Sequence, residues 1–333
     1  MKRISAVPRL ESLRQDTRPR ASRAAHTLRS VVVPLDGSAA AESCLPHAVA
    51  LARRTGASLR LVQVRPPDAP AETELLAIDA GGRLAFQTRS SAYLASVADR
   101  IADEAGLRAA TESIAHDRVA EALEAACTSR DLLIVARPQR RAWSQYSAWS
   151  WGAGSVADRL INRLRRPLLI VPSAAAASPV TAERKLQRVL LPLVVSASAG
   201  QVIDRARTVV GDDLAEYWLF SVIPLWSLAQ VQRSGGGGLG PRSDAARLRA
   251  AAWSRLDEAR RKLEREDCVV HARLVFDNLP PGRAILSHAS VLRADLIVLA
   301  GRPQWLPGWL HHAVPQYVAR HAAVPVLLCP AEG

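Results

Sequence analysis

Short apolar runs recur along the chain, and each ends in a proline or a polar residue. They are rich in Val, Leu and Ile and lack the alternation of apolar and polar positions that is typical of a sheet with one face in water. They therefore predict strands that are buried on both faces. The predicted strands are Val31–Leu35, Leu59–Val64, Leu107–Ile114, Leu132–Ala136 and Leu168–Val171 in the first half, and Val189–Leu193, Glu216–Val222, Val270–Phe276, Leu296–Leu299 and Val326–Cys329 in the second.

Segments with helical spacing of apolar residues lie between these strands. The predicted helices are Ala39–Arg53, Ser90–Ala105, Val119–Cys127, Ser155–Leu164 and Asp244–Glu266. Gly56 and Gly106 follow the first two helices as stop signals. Strands that alternate with helices imply right-handed crossovers, so the fold class is α/β with doubly wound parallel sheets.

Three of the apolar segments occur twice, in the same order. The pairs are Arg29–Leu35 with Gln187–Leu193, Asp131–Ala136 with Asp295–Ala300, and Arg166–Pro172 with Val324–Pro330. The period of about 160 residues is that of a duplicated domain and not of a short-repeat solenoid. The chain is therefore predicted to hold a basic tail (1–29), a first domain (30–173), a linker (174–186) and a second domain (187–333), with five strands in each domain.

The charge of the chain is strongly positive, at +13, and arginines in the first thirty residues carry much of it. Such a tail has the charge to contact nucleic acid or an acidic surface. A solvated arm without a partner is the simpler interpretation and the favoured one.

Several protein classes are disfavoured by the sequence. No apolar run approaches the ~20 residues that cross a bilayer, and no apolar region follows Met1-Lys2-Arg3, so neither a membrane span nor a secretory signal is expected. The four cysteines lie far apart and form no CxxC pair. They indicate a reduced, cytoplasmic protein without a metal site.

The order of these motifs is similar to that of a known family. Asp36-Gly37-Ser38 follows the first strand, Gly154-Ser155 begins the fourth helix, and Leu-Leu-Ile-Val-Pro closes the first domain. Together they resemble the universal stress protein family, in two copies from about Ser30 onward. The resemblance implies a Rossmann-like, adenine nucleotide alpha hydrolase-like fold. It also implies that the final strands, Leu168–Val171 and Val326–Cys329, pair in an internal pseudo-dimer, with a homodimer of chains as a further arrangement.

ATP-binding members of this family share a loop written G-x2-G-x9-G-[ST], in which glycines let backbone N–H groups approach the phosphates. The site that the resemblance implies in the first domain comprises Asp36, Val64, Arg137, Arg140, Gly152, Gly154 and Ser155. Arg137 and Arg140 stand where two glycines are expected. Either these arginines hold phosphate by charge, or the phosphate cradle is lost.

The second domain departs further from the family pattern. Val194-Val195-Ser196 replaces Asp-Gly-Ser, and Gln304 replaces the second glycine of the loop, although Gly301 matches the first. ATP is therefore expected in the first domain alone, if it binds at all. Clustered tryptophans in both loops, such as Trp143 and Trp305, are expected to lie on one side of the molecule. Core or interdomain packing is the favoured interpretation of these side chains, and contact with an unidentified protein partner is the alternative.

The favoured function is that of a stress-response sensor or binding protein that is not an enzyme. An ATP-binding protein that hydrolyses ATP slowly is the alternative. A protein that acts on nucleic acid through its basic tail is the third hypothesis, and nucleic acid is not the favoured partner.

Overall fold

The computed structural model describes residues 28–67, 81–137, 156–163, 165–173, 179–182, 186–193, 199–210, 216–224, 241–264, 268–301 and 313–330. The strands of the first half are β1 (Ser30–Pro34), β2 (Ser58–Arg65), β3 (Ala109–Ala115), β4 (Asp131–Arg137) and β5 (Leu168–Pro172). Those of the second half are β6 (Arg188–Pro192), β7 (Glu216–Pro224), β8 (Val269–Asp277), β9 (Leu296–Ala300) and β10 (Val326–Cys329). Each lies on a predicted apolar run, so the strand prediction is confirmed.

The helices of the described residues cover both faces of the strands. They are α1 (Ala39–Glu42), α2 (Leu45–Thr55), α3 (Gly81–Ala105), α4 (Val119–Ala126), α5 (Val156–Asn162), α6 (Ala199–Val210), α7 (Pro241–Glu264), α8 (Pro281–Val291) and α9 (Ala313–His321). The prediction of one helix over Ala39–Arg53 is wrong, because α1 ends before Ser43. Ser43 Oγ donates to the carbonyl of Ala40 over 2.6 Å in the turn. Pro46 lies in the first turn of α2, where its missing N–H is tolerated.

Two glycines end helices as predicted. Gly56 follows α2 with φ of 70°, and Gly106 follows α3 with φ of 61°, a conformation that glycine adopts without strain. The structure starts α3 at Gly81, well before the predicted Ser90. Among the described residues, no helix combines the length and the apolar character that a membrane span requires.

All the strands join in one ten-stranded sheet with the order β3-β2-β1-β4-β5-β10-β9-β6-β7-β8. Neighbours within each half are parallel, and β5 and β10 pair antiparallel, with Leu169 opposite Leu327. The seam that the family resemblance implies is therefore confirmed. In each half the winding reverses between the first and fourth strands of that half, which is where open α/β sheets place ligands, at the carboxyl ends.

The hydrophobic core continues across the seam on both faces of the sheet. One cluster joins Leu169 of β5 to Leu327 of β10, and the other joins Ile170 to Leu328. Each cluster contains side chains from both halves. The two halves are therefore packed together through apolar contacts, which favours cooperative unfolding.

Candidate functional site

The Asp36-Gly37-Ser38 turn lies at the carboxyl end of β1, at the edge where a ligand is expected. Asp36 Oδ1 accepts hydrogen bonds from the Ser38 backbone N–H at 2.9 Å and from Ser38 Oγ at 2.6 Å. Gly37 has φ of 83°, which allows the chain to turn. Ser38 Oγ in turn accepts from the N–H of Ala41 at 3.2 Å and caps α1. The turn thus fixes an exposed carboxylate at the sheet edge.

Val64 lies on β2, the strand next to β1. The N–H of Leu35 donates to the carbonyl of Val62 over 2.8 Å, and continuing this register puts Val64 level with Asp36. Its half-buried side chain packs against the core cluster that contains Val62 and Val135. The structure therefore brings Asp36 and Val64 to the same edge.

Arg137, the last residue of β4, reaches across the domain seam. Its Nη1 donates to the carbonyl of Ala319 at 3.2 Å, and its Nη2 donates to the carbonyl of Ala322 at 2.6 Å. These carbonyls lie at the end of α9, where unpaired C=O groups and the helix dipole both favour a cation. The guanidinium is half-buried, and this burial lowers the pKa of Arg137. The side chain proposed as a phosphate ligand therefore caps a helix of the other domain.

The other predicted site residues, Arg140, Gly152, Gly154 and Ser155, lie outside the described residues. The same holds for the clustered tryptophans and for residues 1–27 of the basic tail. Their roles stay predictions, as do the boundaries of the tail and the linker.

A second polar cluster lies at the opposite, amino-terminal edge of the first domain. It lines a cavity of about 400 Å³ formed by Arg29, Ser30, Ser58, Arg60, Ala126, Thr128 and Asp131. The buried Asp131 carboxylate accepts from Ser30 Oγ at 2.7 Å, from the Thr128 N–H at 2.6 Å and from Thr128 Oγ1 at 2.9 Å. Burial acts to raise the pKa of Asp131, but these hydrogen bonds outweigh it and the pKa is lowered.

An aspartate at the corresponding position of the second domain has a related role, with backbone donors instead of hydroxyl groups. Asp295, which precedes β9 as Asp131 begins β4, accepts from the N–H groups of Gln187 at 3.2 Å and Arg188 at 2.9 Å. Each aspartate ties the start of one strand to the start of its neighbour. The sequence signal is the Asp that opens both related apolar runs, and we interpret the pair as structural anchors of the sheet.

Replacing Asp131 by Asn is expected to lower the free energy of unfolding by about 1–3 kcal/mol at neutral pH, because hydrogen bonds to a charged acceptor are lost. A carboxylate with a lowered folded-state pKa stabilises the fold above the ordinary carboxyl pKa and loses that effect as the pH falls through the folded-state value. The difference from wild type should therefore shrink as the pH falls below the ordinary carboxyl pKa. Urea unfolding across pH measures it, with exposed Asp117→Asn as the control. A difference that is independent of pH would contradict the assignment.

The two halves of the chain match the same family. The model of the universal stress protein family matches residues 27–172 and again residues 185–330. The chain therefore belongs to the universal stress protein family, in its tandem two-domain form. None of the curated proteins compared with the sequence matches it.

Solved structures share the two-domain fold. A universal stress protein from Archaeoglobus fulgidus is 17% identical, with a TM-score of 0.59 over 90% of this chain and 96% of that one. A functionally unknown protein from Pseudomonas aeruginosa is 17% identical, with a TM-score of 0.55 over 92% and 93% of the two chains. These identities bear on the fold alone.

A universal stress protein in complex with cAMP matches a smaller part of the chain. It is 20% identical and covers 44% of this chain and 99% of its own, with a TM-score of 0.33.

Proposed function

We propose that this chain is a stress-response binding protein of the universal stress type and that it does not act as an enzyme. The observation that supports this proposal best is the position of Arg137, whose guanidinium donates to the carbonyls of Ala319 and Ala322. The residue at the first position of the nucleotide loop is thereby engaged in joining the two domains.

Phosphoryl transfer relies on positioned cations that neutralise the charge developing on the phosphate oxygens. At the end of β4 the family places a glycine, whose backbone approaches the phosphates closely. In this chain Arg137 occupies this position. Its side chain points into the seam and is half-buried. The side chain at this position therefore serves an interdomain contact.

The buried thiols of the described residues are poor nucleophiles. Burial, together with the nearby charge of Asp36, raises the pKa of Cys44 far above its usual range. Burial likewise raises the pKa of Cys329 to about 12, against a lowering contribution from Arg205. Because the thiolate is the reactive form, neither residue is suited to covalent catalysis at neutral pH.

Phosphate release from ATP and Mg²⁺ tests the proposal on the purified full chain. We expect the wild type to release phosphate no faster than the Asp36→Ala variant, since neither uses this edge for hydrolysis. Activity in the wild type that disappears in Asp36→Ala would overturn the non-enzymatic assignment. Activity that is equal in both variants and stays with the protein through a second purification step would overturn it as well.

A second candidate is nucleotide binding without turnover in the first domain, and the geometry of Asp36 favours it. One carboxylate oxygen is held by Ser38, and the side chain is exposed at the edge level with Val64. An exposed, oriented carboxylate is suited to accept hydrogen bonds from ribose hydroxyl groups.

If this candidate holds, Asp36→Ala should weaken ATP binding by about tenfold or more, because a charge-assisted hydrogen bond contributes about 1.5–3 kcal/mol. Asp103→Ala removes an exposed carboxylate near the C-terminus of α3, away from this edge, and should leave the dissociation constant unchanged. Equilibrium dialysis with labelled ATP measures both. Equal binding by the two variants would remove Asp36 from the site.

A further inference from the structure

Helices α5 and α9 meet across the seam through two polar contacts. Arg320 Nη2 lies 2.6 Å from Asp158 Oδ2, and Gln316 Nε2 donates to Asn162 Oδ1 over 2.7 Å. Asp158 is only 4% exposed, so its carboxylate faces its partner largely away from water. The Arg320 side chain is 39% exposed, so the ion pair is shielded from water on the Asp158 side only.

These two contacts occupy equivalent positions, related by the approximate twofold symmetry of the two domains. The repeated segments of the sequence align Asp158 with Gln316 and Asn162 with Arg320. Strand pairing has the same symmetry, since Leu169 faces its own counterpart Leu327. The seam is therefore isologous in geometry, with a local twofold axis near these leucines, but its side chains differ between the halves.

The difference in side chains distinguishes the pairing of a first with a second domain from the pairing of two first domains or two second domains. Two copies of the first domain would place Asp158 against Asn162 twice, and the buried carboxylate would face an amide instead of a cation. Two copies of the second domain would place Arg320 against Gln316 twice. Only the mixed pairing joins Asp158 to Arg320, and removing this partner from a largely buried carboxylate is costly.

A second difference between the domains also favours the mixed pairing. The repeat places Gly301 where the first domain has Arg137. Arg137 of the first domain therefore caps α9 of the second, while glycine at the related position has no side chain to cap α5 in return. Arg54, at the end of α2, also donates from Nη1 to the carbonyl of Val210 at the end of α6, over 2.9 Å. Arginines of the first domain thus cap helices of the second on both sides of the sheet.

We propose that the α5 face of the first domain, formed by Asp158, Asn162 and Arg137, is an interaction surface specific for the α9 face of the second domain. It rejects the corresponding face of a second copy of the first domain. The partner is recognised by a cation at position 320 and by the open carbonyls at the end of α9. Like-with-like pairing between copies of this chain is thereby disfavoured.

Charge reversal in two separate full-length chains tests this surface. Asp158→Arg places two guanidinium groups at the seam within one chain, and Arg320→Asp places two carboxylates there. When both variants are co-expressed, the altered first domain of one chain complements the altered second domain of the other. The two unaltered domains also retain their original Asp–Arg pair.

We expect co-expression to yield a domain-exchanged dimer of the two variants, at least tenfold more abundant than the mixed dimer of two differently tagged wild-type chains. Native mass spectrometry of tagged chains measures both fractions. Equal fractions would overturn the proposal.

A double-mutant cycle in the single full chain covers the case in which a reversed variant fails to fold. Asp158→Asn and Arg320→Gln remove the charges with little change of shape. We expect the second substitution to lower the unfolding midpoint less once the first is present, because each acts through the other. Strictly additive shifts would show that the two residues do not recognise one another.

Discussion

Replacing Leu327 by alanine is expected to lower the free energy of unfolding by about 2–5 kcal/mol. Leu327 is 0% exposed on β10 and faces Leu169 of β5 across the seam. Truncation removes apolar contact and leaves a cavity that the two paired strands cannot readily fill. Because each core cluster contains residues of both domains, the loss should shift one common unfolding transition.

Urea unfolding followed by far-UV circular dichroism measures this effect. Val269→Ala is the matched control, because Val269 is 54% exposed on the edge strand β8 and surface truncations usually change stability by no more than about 0.5 kcal/mol. A Leu327→Ala loss as small as that of Val269→Ala would contradict the packing of the seam. Two separate transitions in the wild type would contradict the common core.

Replacing Arg137 by alanine is expected to lower the free energy of unfolding by about 1.5–3 kcal/mol, the usual range for hydrogen bonds that involve a charged group. The substitution leaves the carbonyls of Ala319 and Ala322 without their guanidinium donor. It also removes a cation from the end of α9, where the helix dipole favours one. The loss should appear in the same transition that Leu327→Ala shifts.

Two further variants isolate the cause. Arg137→Lys keeps the charge but cannot reproduce two donors in a fixed fork, so an intermediate loss is expected. Arg118→Ala removes an arginine whose side chain is 63% exposed and whose ion pair with Glu121 lies on the surface, so a much smaller loss than that of Arg137→Ala is expected. Equal effects of Arg118→Ala and Arg137→Ala would contradict the capping role.

The fold could be predicted from the sequence because its strongest signals are local. Each strand is a continuous apolar run, and a strand such as β1 is buried at every position. The break between α1 and α2 could not be predicted from the sequence, since the alanine-rich pattern continues through it and only Pro46 marks the start of α2. The early start of α3 has no such signal either, because Gly81 and Gly82 are poor helix formers by propensity.

The candidate site shows the same division between local and distant contacts. Asp36 and Ser38 are two positions apart, so the motif itself contains the hydrogen bonds that orient the carboxylate. Arg137 binds backbone carbonyls 182 and 185 positions away, and a carbonyl gives no sequence signal. The family motif therefore locates the residue but does not specify its partner.

Titration of ATP into the wild type and the Arg137→Ala variant, followed by calorimetry, tests most directly whether Arg137 holds the domains together or holds phosphate. If the guanidinium serves the seam, the two proteins give the same isotherm under conditions where both are folded, and this includes the case of no heat in either. Binding at one site per chain in the wild type that is weakened tenfold or more in Arg137→Ala would show that the arginine contacts phosphate, and would contradict its assignment to the domain seam.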